Sequence, residues 1–156
     1  MAKAKYEMEM DDSGKSMCLR LRQMMREVYA TLGKGYPEGV YQRALGVELQ
    51  EQKIPYDMEV TMSIPYKHHV IDQVRADIIL RGSIPVVIET KATAYALKME
   101  ERWQISRYMK ILNIPLGVLV NFTQSNSQEF PQIEFIVNSE QEIFLYDLDT
   151  GIATNF

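Results

Sequence analysis

Residues 75–92 read RADIILRGSIPVVIETKA, and three charged side chains in that stretch are out of keeping with their surroundings. Asp77, Glu89 and Lys91 stand in or beside two apolar runs, I-I-L and V-V-I, of the kind that make core strands. Leaving charges unpaired at a core edge is costly, so charges kept there together point to joint use. Alternation along a strand puts Glu89 and Lys91 on one face and Thr90 on the other, and hairpin pairing brings Asp77 opposite the Glu89 region. Two converging carboxylates repel each other away from water. A hard divalent cation resolves that conflict: Mg²⁺ prefers oxygen ligands, takes one or two carboxylates, and keeps waters that phosphate oxygens can replace. The Thr90 carbonyl lies within reach of the same ion, while Lys91 can orient or deprotonate an attacking water or steady a pentavalent phosphate. The chemistry implied is metal-assisted phosphodiester hydrolysis. Taken alone, D…ExK is a common chance pattern, and a surface hairpin with a Glu-Lys pair fits it at least as well.

The elements that must position these residues narrow the choice. Residues 1–14 are polar and expected to be a flexible N-terminus. Met17, Leu21, Met24, Met25, Val28 and Leu32 recur at helical spacing, with Ser16 a candidate N-cap and Gly33 and Gly35 the stop. A second helix opens at G-Y-P-E-G-V-Y, with Pro37 in its first turn and Glu38 at its positive end, and runs to about Gln52. On it Glu38, Tyr41, Leu45 and Glu48 fall within a sector of about 80°. Strands follow over Tyr56 to Pro65, His69 to Val74, Arg75 to Leu80 and Ile84 to Thr90, with a turn at Arg81, Gly82 and Ser83. A long helix is expected from Thr93 to Leu112, then a buried parallel strand over PLGVLVNF and two acidic strands at Ile133 to Val137 and Glu142 to Tyr146. On the long helix Gln104 and Tyr108 share a face, able to bind a nucleic-acid backbone or the attacking water, with Trp103 and Arg107 nearby. Trp103 fits core or interface packing better.

Length and composition bound the rest. The chain has 156 residues, enough for one real core, with 46% hydrophobic and 24% charged residues. No apolar run reaches the roughly 18 to 20 residues needed to cross a bilayer. MAKAKYEMEMDD lacks the apolar segment of a signal peptide, and Cys18 is the single cysteine. These features imply an intracellular setting: cytoplasmic, nuclear or virus-associated. The net charge of −4 argues against a polyanionic partner, yet it is unevenly spread. Residues 128–156 hold six acids and no Lys or Arg, leaving residues 1–127 with 15 acids against 17 basic residues, net +2. Charge therefore permits a nucleic-acid partner without requiring one. The expected organisation is a domain over 15–127 and an acidic extension over 128–156 whose strands pack on it.

Several motifs together resemble a known family. G35-Y-P-E38-G-V-Y41 matches the defining motif of the GxxExxY proteins, a branch of the PD-(D/E)xK nuclease superfamily. A-L-G-V-E-L from Ala44, R-A-D at 75–77, V-I-E-T-K at 87–91, Q-I-S-R-Y at 104–108 and G-V-L-V-N-F at 117–122 follow in the family's order, over about residues 18–125. The resemblance implies an α/β (α+β) restriction-endonuclease-like core, a mixed four-stranded sheet flanked by helices. It implies Mg²⁺ or Mn²⁺ held by Asp77 and Glu89, a catalytic Lys91, and a supporting helix carrying Gln104 and Tyr108. Glu38 matches the name-giving carboxylate and is expected to face the metal directly or through water, while Glu48 has Arg43 or Arg75 as alternative partners. Arg75 and Arg107 are the basic candidates for substrate contact. Two departures stand out: Arg75 and Ala76 replace the usual Pro before the first Asp, and Thr90 fills the middle of E-x-K, where only its backbone is expected to matter.

The expected activity is a Mg²⁺-dependent nuclease acting on nucleic acid, DNA first. A homodimer is an option, because one metal site cuts one strand. The competing expectation is a non-catalytic binding or assembly protein on the same fold, since fold does not fix function. His68-His69 as a metal pair fails because neighbouring strand residues face opposite ways. Glycoside hydrolysis by Glu38 and Glu48 leaves E-x-K and Q-x-x-x-Y without a task.

Overall fold

A computed structural model describes residues 5–7 and 10–156. Eight strands form one sheet in the order β1-β8-β7-β6-β5-β4-β3-β2. In chain order the elements are β1 (Lys5–Glu7), α1 (Asp12–Leu32), α2 (Glu38–Glu51), β2 (Tyr56–Tyr66), β3 (His69–Leu80), β4 (Val86–Lys91), α3 (Met99–Leu112), β5 (Leu116–Asn121), β6 (Gln132–Ser139), β7 (Glu142–Tyr146) and β8 (Ile152–Asn155). Among the described residues only β4 and β5 pair in parallel, joined by the α3 crossover; the other neighbours are antiparallel. The result is a mixed sheet flanked by helices, as the sequence implies.

Period-2 alternation divides the core. Ile78, Leu80, Val86, Ile88, Val118 and Val120 point to the face covered by α1 and α2, where Leu21, Met24, Met25, Tyr41, Leu45 and Leu49 are buried. Ile79, Val87 and Leu119 point to the other face and meet Ile105, Tyr108 and Met109 of α3. The methionines of α1 are thus core filling. α3 lies so close to β5 that a Cβ on Gly117 would sit 2.6 Å from the Met109 sulfur.

Four local expectations change. α1 begins at Asp12, because Asp11, not Ser16, caps it: the Asp11 carboxylate accepts from the Gly14 N–H at 2.6 Å. Within the N-terminal residues expected to be flexible, Lys5–Glu7 instead pairs with β8, a strand the alternation did not reveal; residues 1–4, 8 and 9 lie outside those described. β3 is one continuous strand where two short ones are expected, and β4 starts at Val86, after Pro85, which has no N–H for the ladder. Finally, α3 starts at Met99 rather than Thr93. Side chains of β5 and β6 take the backbone groups that a helix would have used. Asn121 accepts from the Thr93 N–H at 2.9 Å and donates to the Tyr95 carbonyl at 3.0 Å, and Gln132 accepts from the Leu97 N–H at 2.9 Å.

Candidate active site

β3 and β4 pair cleanly at Ile78–Ile88, Ile79–Val87 and Leu80–Val86, and the ladder then stops. One residue further on are Asp77 and Glu89. In place of main-chain pairing, each carboxylate reaches across to the opposite strand. Glu89 Oε1 accepts from the Asp77 N–H at 2.9 Å, and Asp77 Oδ2 accepts from the Thr90 N–H at 2.8 Å. The acids thus sit side by side, each holding the backbone of the other's strand. Gln42 of α2 donates to the Asp77 carbonyl at 3.2 Å and fixes that backbone from the helix side.

Thr90 corrects the expectation that only its backbone matters. Its buried hydroxyl lies 3.0 Å from Asp77 Oδ2 and 3.4 Å from Glu38 Oε1. One hydroxyl carries one proton, so it joins the two acids through a single donor. Glu38 is brought there by the first turn of α2, whose Tyr41 and Leu45 are fully buried.

On the other side, the Lys91 ammonium lies 3.4 Å from Gln104 Oε1, and Gln104 Nε2 donates to the Tyr108 hydroxyl at 3.0 Å. The i, i+4 spacing on α3 stacks the amide and the phenol in one line. Glu38, Asp77, Glu89 and Thr90 thus form one hydrogen-bonded group and Lys91, Gln104 and Tyr108 a second, and the Lys91 charge couples the second to Glu38 and Glu89. Arg75 and Arg107 join neither by any hydrogen bond; both are exposed, though the Arg107 charge reaches Tyr108. Among the described residues no ion pair ties Glu48 to Arg43 or Arg75. Trp103 is half exposed and meets the Phe156 ring edge-on at 5.5 Å, away from the core. His68 lies in the turn between β2 and β3.

The electrostatics follow from three acids meeting one ammonium. Glu89, 3% exposed, is pushed up to about 8, first by burial and then by the Asp77 charge, against the smaller pull of the Asp77 N–H and of Lys91. Burial and then Asp77 also raise Glu38, and burial followed by Glu89 raises Tyr108. The donor set suits a hard cation. Asp77 and Glu89 each spend one oxygen on the backbone and keep the second unbonded by the described residues, beside the main chain of Thr90. No three His, Cys, Asp or Glu side chains among the described residues converge closely enough to hold an ion. Two carboxylates are what Mg²⁺ would take while keeping several waters, and Glu38 stands one hydroxyl away.

Sequence reading missed Gln42, Asn121 and Gln124. Gln42 follows Glu38 by one helical turn, a signal that was present. Asn121 is the polar residue inside G-V-L-V-N-F. Gln124 accepts from the Gly35 N–H at 2.7 Å and donates to the Tyr41 hydroxyl at 3.2 Å, tying the loop after β5 to the approach of Glu38.

Comparison with known proteins bears on this arrangement. A family model described as the PD-(D/E)XK nuclease superfamily matches residues 15–133. The chain belongs to that superfamily. Among solved structures, the crystal structure of SSO0001 has a TM-score of 0.52 and 20% identity, over 73% of this chain and 54% of that one. At that identity the likeness is of fold alone, and the chain spans about half that neighbour's length. No curated protein sequence matches. The matched range includes Asp77, Glu89 and Lys91, where the β3–β4 ladder stops. No helix among the described residues is long and apolar enough to cross a membrane.

Proposed function

We propose that this PD-(D/E)XK protein is a divalent-metal-dependent nuclease that hydrolyses phosphodiester bonds of nucleic acid, DNA first. The observation that carries the reading is the crossed pair at the end of the β3–β4 ladder, with two acids bonded to each other's strand beside the Lys91–Gln104–Tyr108 line. Asp77, Glu89 and the Thr90 carbonyl would hold Mg²⁺ or Mn²⁺. Such an ion polarises a phosphoryl oxygen and lowers the pKa of a bound water. Lys91 orients the attacking water and offsets charge on the phosphorane oxygens. Gln104 fixes the ammonium through its amide oxygen, and its NH₂ group occupies the Tyr108 oxygen, leaving the phenol proton free to donate toward a phosphate. Glu38, linked to Asp77 only through Thr90, steadies that carboxylate or reaches the ion through water. Arg75 and Arg107, both exposed, are placed to meet flanking phosphates.

The test is cleavage of labelled single- and double-stranded DNA and RNA with Mg²⁺ or Mn²⁺, beside Lys91→Ala and a calorimetric metal titration. Metal-dependent cleavage lost in the variant supports the reading; absence of both cleavage and metal binding sinks it. The second reading, a non-catalytic binding or assembly protein, draws on β6, β7 and β8, which extend the sheet well beyond the site. It predicts that any metal binding occurs without turnover.

A further inference from the structure

The loops beside the site carry exposed aromatic rings accompanied by cations. Tyr95, in the segment after β4, is 49% exposed, and the Lys98 ammonium sits 4.3 Å from its ring centre. Phe130, in the loop after β5, is 55% exposed, and the Arg26 guanidinium lies 5.0 Å over its ring. Tyr36, two residues before Glu38, is 46% exposed. Arg26 makes no ion pair among the described residues, and its Nε atom is buried without a hydrogen-bond partner.

Backbone bonds join these loops into one rim. The Phe122 N–H donates to the Lys91 carbonyl at 2.8 Å and the Gln124 N–H to the Thr93 carbonyl at 2.9 Å, so the loop after β5 runs alongside the segment leaving the site. Gln124 then holds Gly35, and the Lys34 ammonium bonds the Gln128 carbonyl at 3.1 Å. Two open grooves meet at Gln128. One, of about 330 Å³, is lined by Ala94, Ala96, Thr123, Ser125 and Gln132. The other, of about 610 Å³, runs between Lys34 and the Arg26–Phe130 stack, with Glu27 and Glu129 also on its walls. Along α1, Arg26 and Gly33 are separated by about 10 Å at 1.5 Å per residue, a distance of a few stacked nucleotides.

Phe130 lines the larger groove, Tyr95 sits between Ala94 and Ala96 of the smaller one, and Tyr36 adjoins Gly35, which Gln124 holds. Exposed rings set along such a rim suit unpaired bases, whose faces are free to stack, whereas in a duplex those faces are already covered. Cations beside the rings suit the connecting phosphates. With Glu27 and Glu129 offsetting Arg26 and Lys34, stacking rather than bulk charge must supply the affinity. We propose that this rim is a stacking track for single-stranded nucleic acid, leading a strand past Phe130, Tyr36 and Tyr95 into the site. The proposal rests on the nucleic-acid reading above and adds the strandedness of the substrate.

The test is fluorescence anisotropy in EDTA, where no cleavage occurs, with an oligodeoxythymidine of about 15 nucleotides and a blunt duplex of equal length. The single strand is expected to bind at least about tenfold tighter, with a shallow salt dependence. Tyr95→Ala and Phe130→Ala should each weaken it about tenfold, in line with 1–3 kcal/mol per stacked base, and leave duplex binding and circular dichroism unchanged. Equal affinity for the duplex, or variants that change neither ligand or both alike, overturns the proposal. Ring-dependent single-strand binding without cleavage in Mg²⁺ supports the track and removes the nuclease reading. Metal-dependent cutting of duplex with silent ring variants does the reverse.

Discussion

The molecule holds two groups of acids, and they are treated oppositely. After β5, Glu134, Asp147 and Asp149 each have a matched donor. Glu134 of β6 grips Arg102 of α3 through two bonds of 2.6 and 2.8 Å, Asp149 meets Arg22 at 3.1 Å, and Asp147 accepts from the Asp149 and Thr150 N–H groups at 2.9 and 3.0 Å. Where the β3–β4 ladder stops, Glu38, Asp77 and Glu89 crowd beside one ammonium, and Glu38 and Glu89 are driven toward their protonated forms. Paired acids reinforce the fold where they stand. Acids crowded together with too few cations oppose it, and such a group persists where a further positive charge has a use for it.

The sharpest way to break that contrast is to remove one member from each group. Asp77→Asn should lower metal-dependent cleavage about 10³-fold or more while thermal unfolding stays at or above the parent value. Lys91→Ala should lose cleavage to the same extent and unfold at a lower temperature, because it strips the acids of their ammonium. Thr90→Val keeps the N–H bond to Asp77 but removes the hydroxyl shared with Glu38. It should weaken Mg²⁺ binding about 10- to 100-fold by calorimetry, as loss of a ligand-orienting partner does; unchanged affinity would show that the hydroxyl only fills space. Glu134→Ala should do the opposite of the site variants. It leaves Arg102 without its partner between α3 and β6, costs about 2 kcal/mol in a denaturant titration, and leaves metal affinity alone.

Much of this division is legible in the sequence, for a definite reason. I-I-L and V-V-I announce two core strands, and a charge placed one residue outside each run marks where the apolar pairing between them stops. Helical spacing links Gln104 to Tyr108 and exposes the second helix as the carrier of Glu38. What escapes is whatever depends on contacts between distant segments. Asn121 displaces the start of α3 by bonding Thr93 and Tyr95, 28 and 26 residues away, and no local pattern predicts that. The Thr90 hydroxyl escapes similarly: alternation points it away from the Glu89 and Lys91 side chains, and only the splaying of β3 lets Asp77 turn to meet it. β1 and β8 are too short for alternation to register and exist because each completes the other's edge.

Glu89 tests the contrast through pH. Its native carboxyl holds a proton up to about pH 8, whereas in the unfolded chain it releases it near the ordinary glutamate value of 4.5. The native state therefore carries the extra proton between those limits, and this group lowers stability as pH rises through that window, with the full penalty above it. In EDTA, Glu89→Gln should raise the melting temperature by several degrees at pH 9 and change it little at pH 4. Its amide oxygen can still accept from Asp77 N–H, so the gain isolates the charge. Mg²⁺ binding to the parent protein should strengthen over the same window as the proton it displaces is lost.

Asp149 marks the lower bound of what pairing contributes. Its side chain is 73% exposed while that of Arg22 is 19% exposed, so water screens the bond and can replace it on the acid's side. Asp149→Asn should cost no more than about 1 kcal/mol, and that loss should shrink as salt is added. Both behaviours differ from Glu134, whose side chain is 13% exposed and holds its arginine through two parallel bonds. A loss at Asp149 as large as at Glu134 would mean that burial is not what separates a reinforcing acid from an ornamental one. The penalty assigned to Glu89, which rests on the same dependence of charge on burial, would then have to come from the proximity of Asp77 alone.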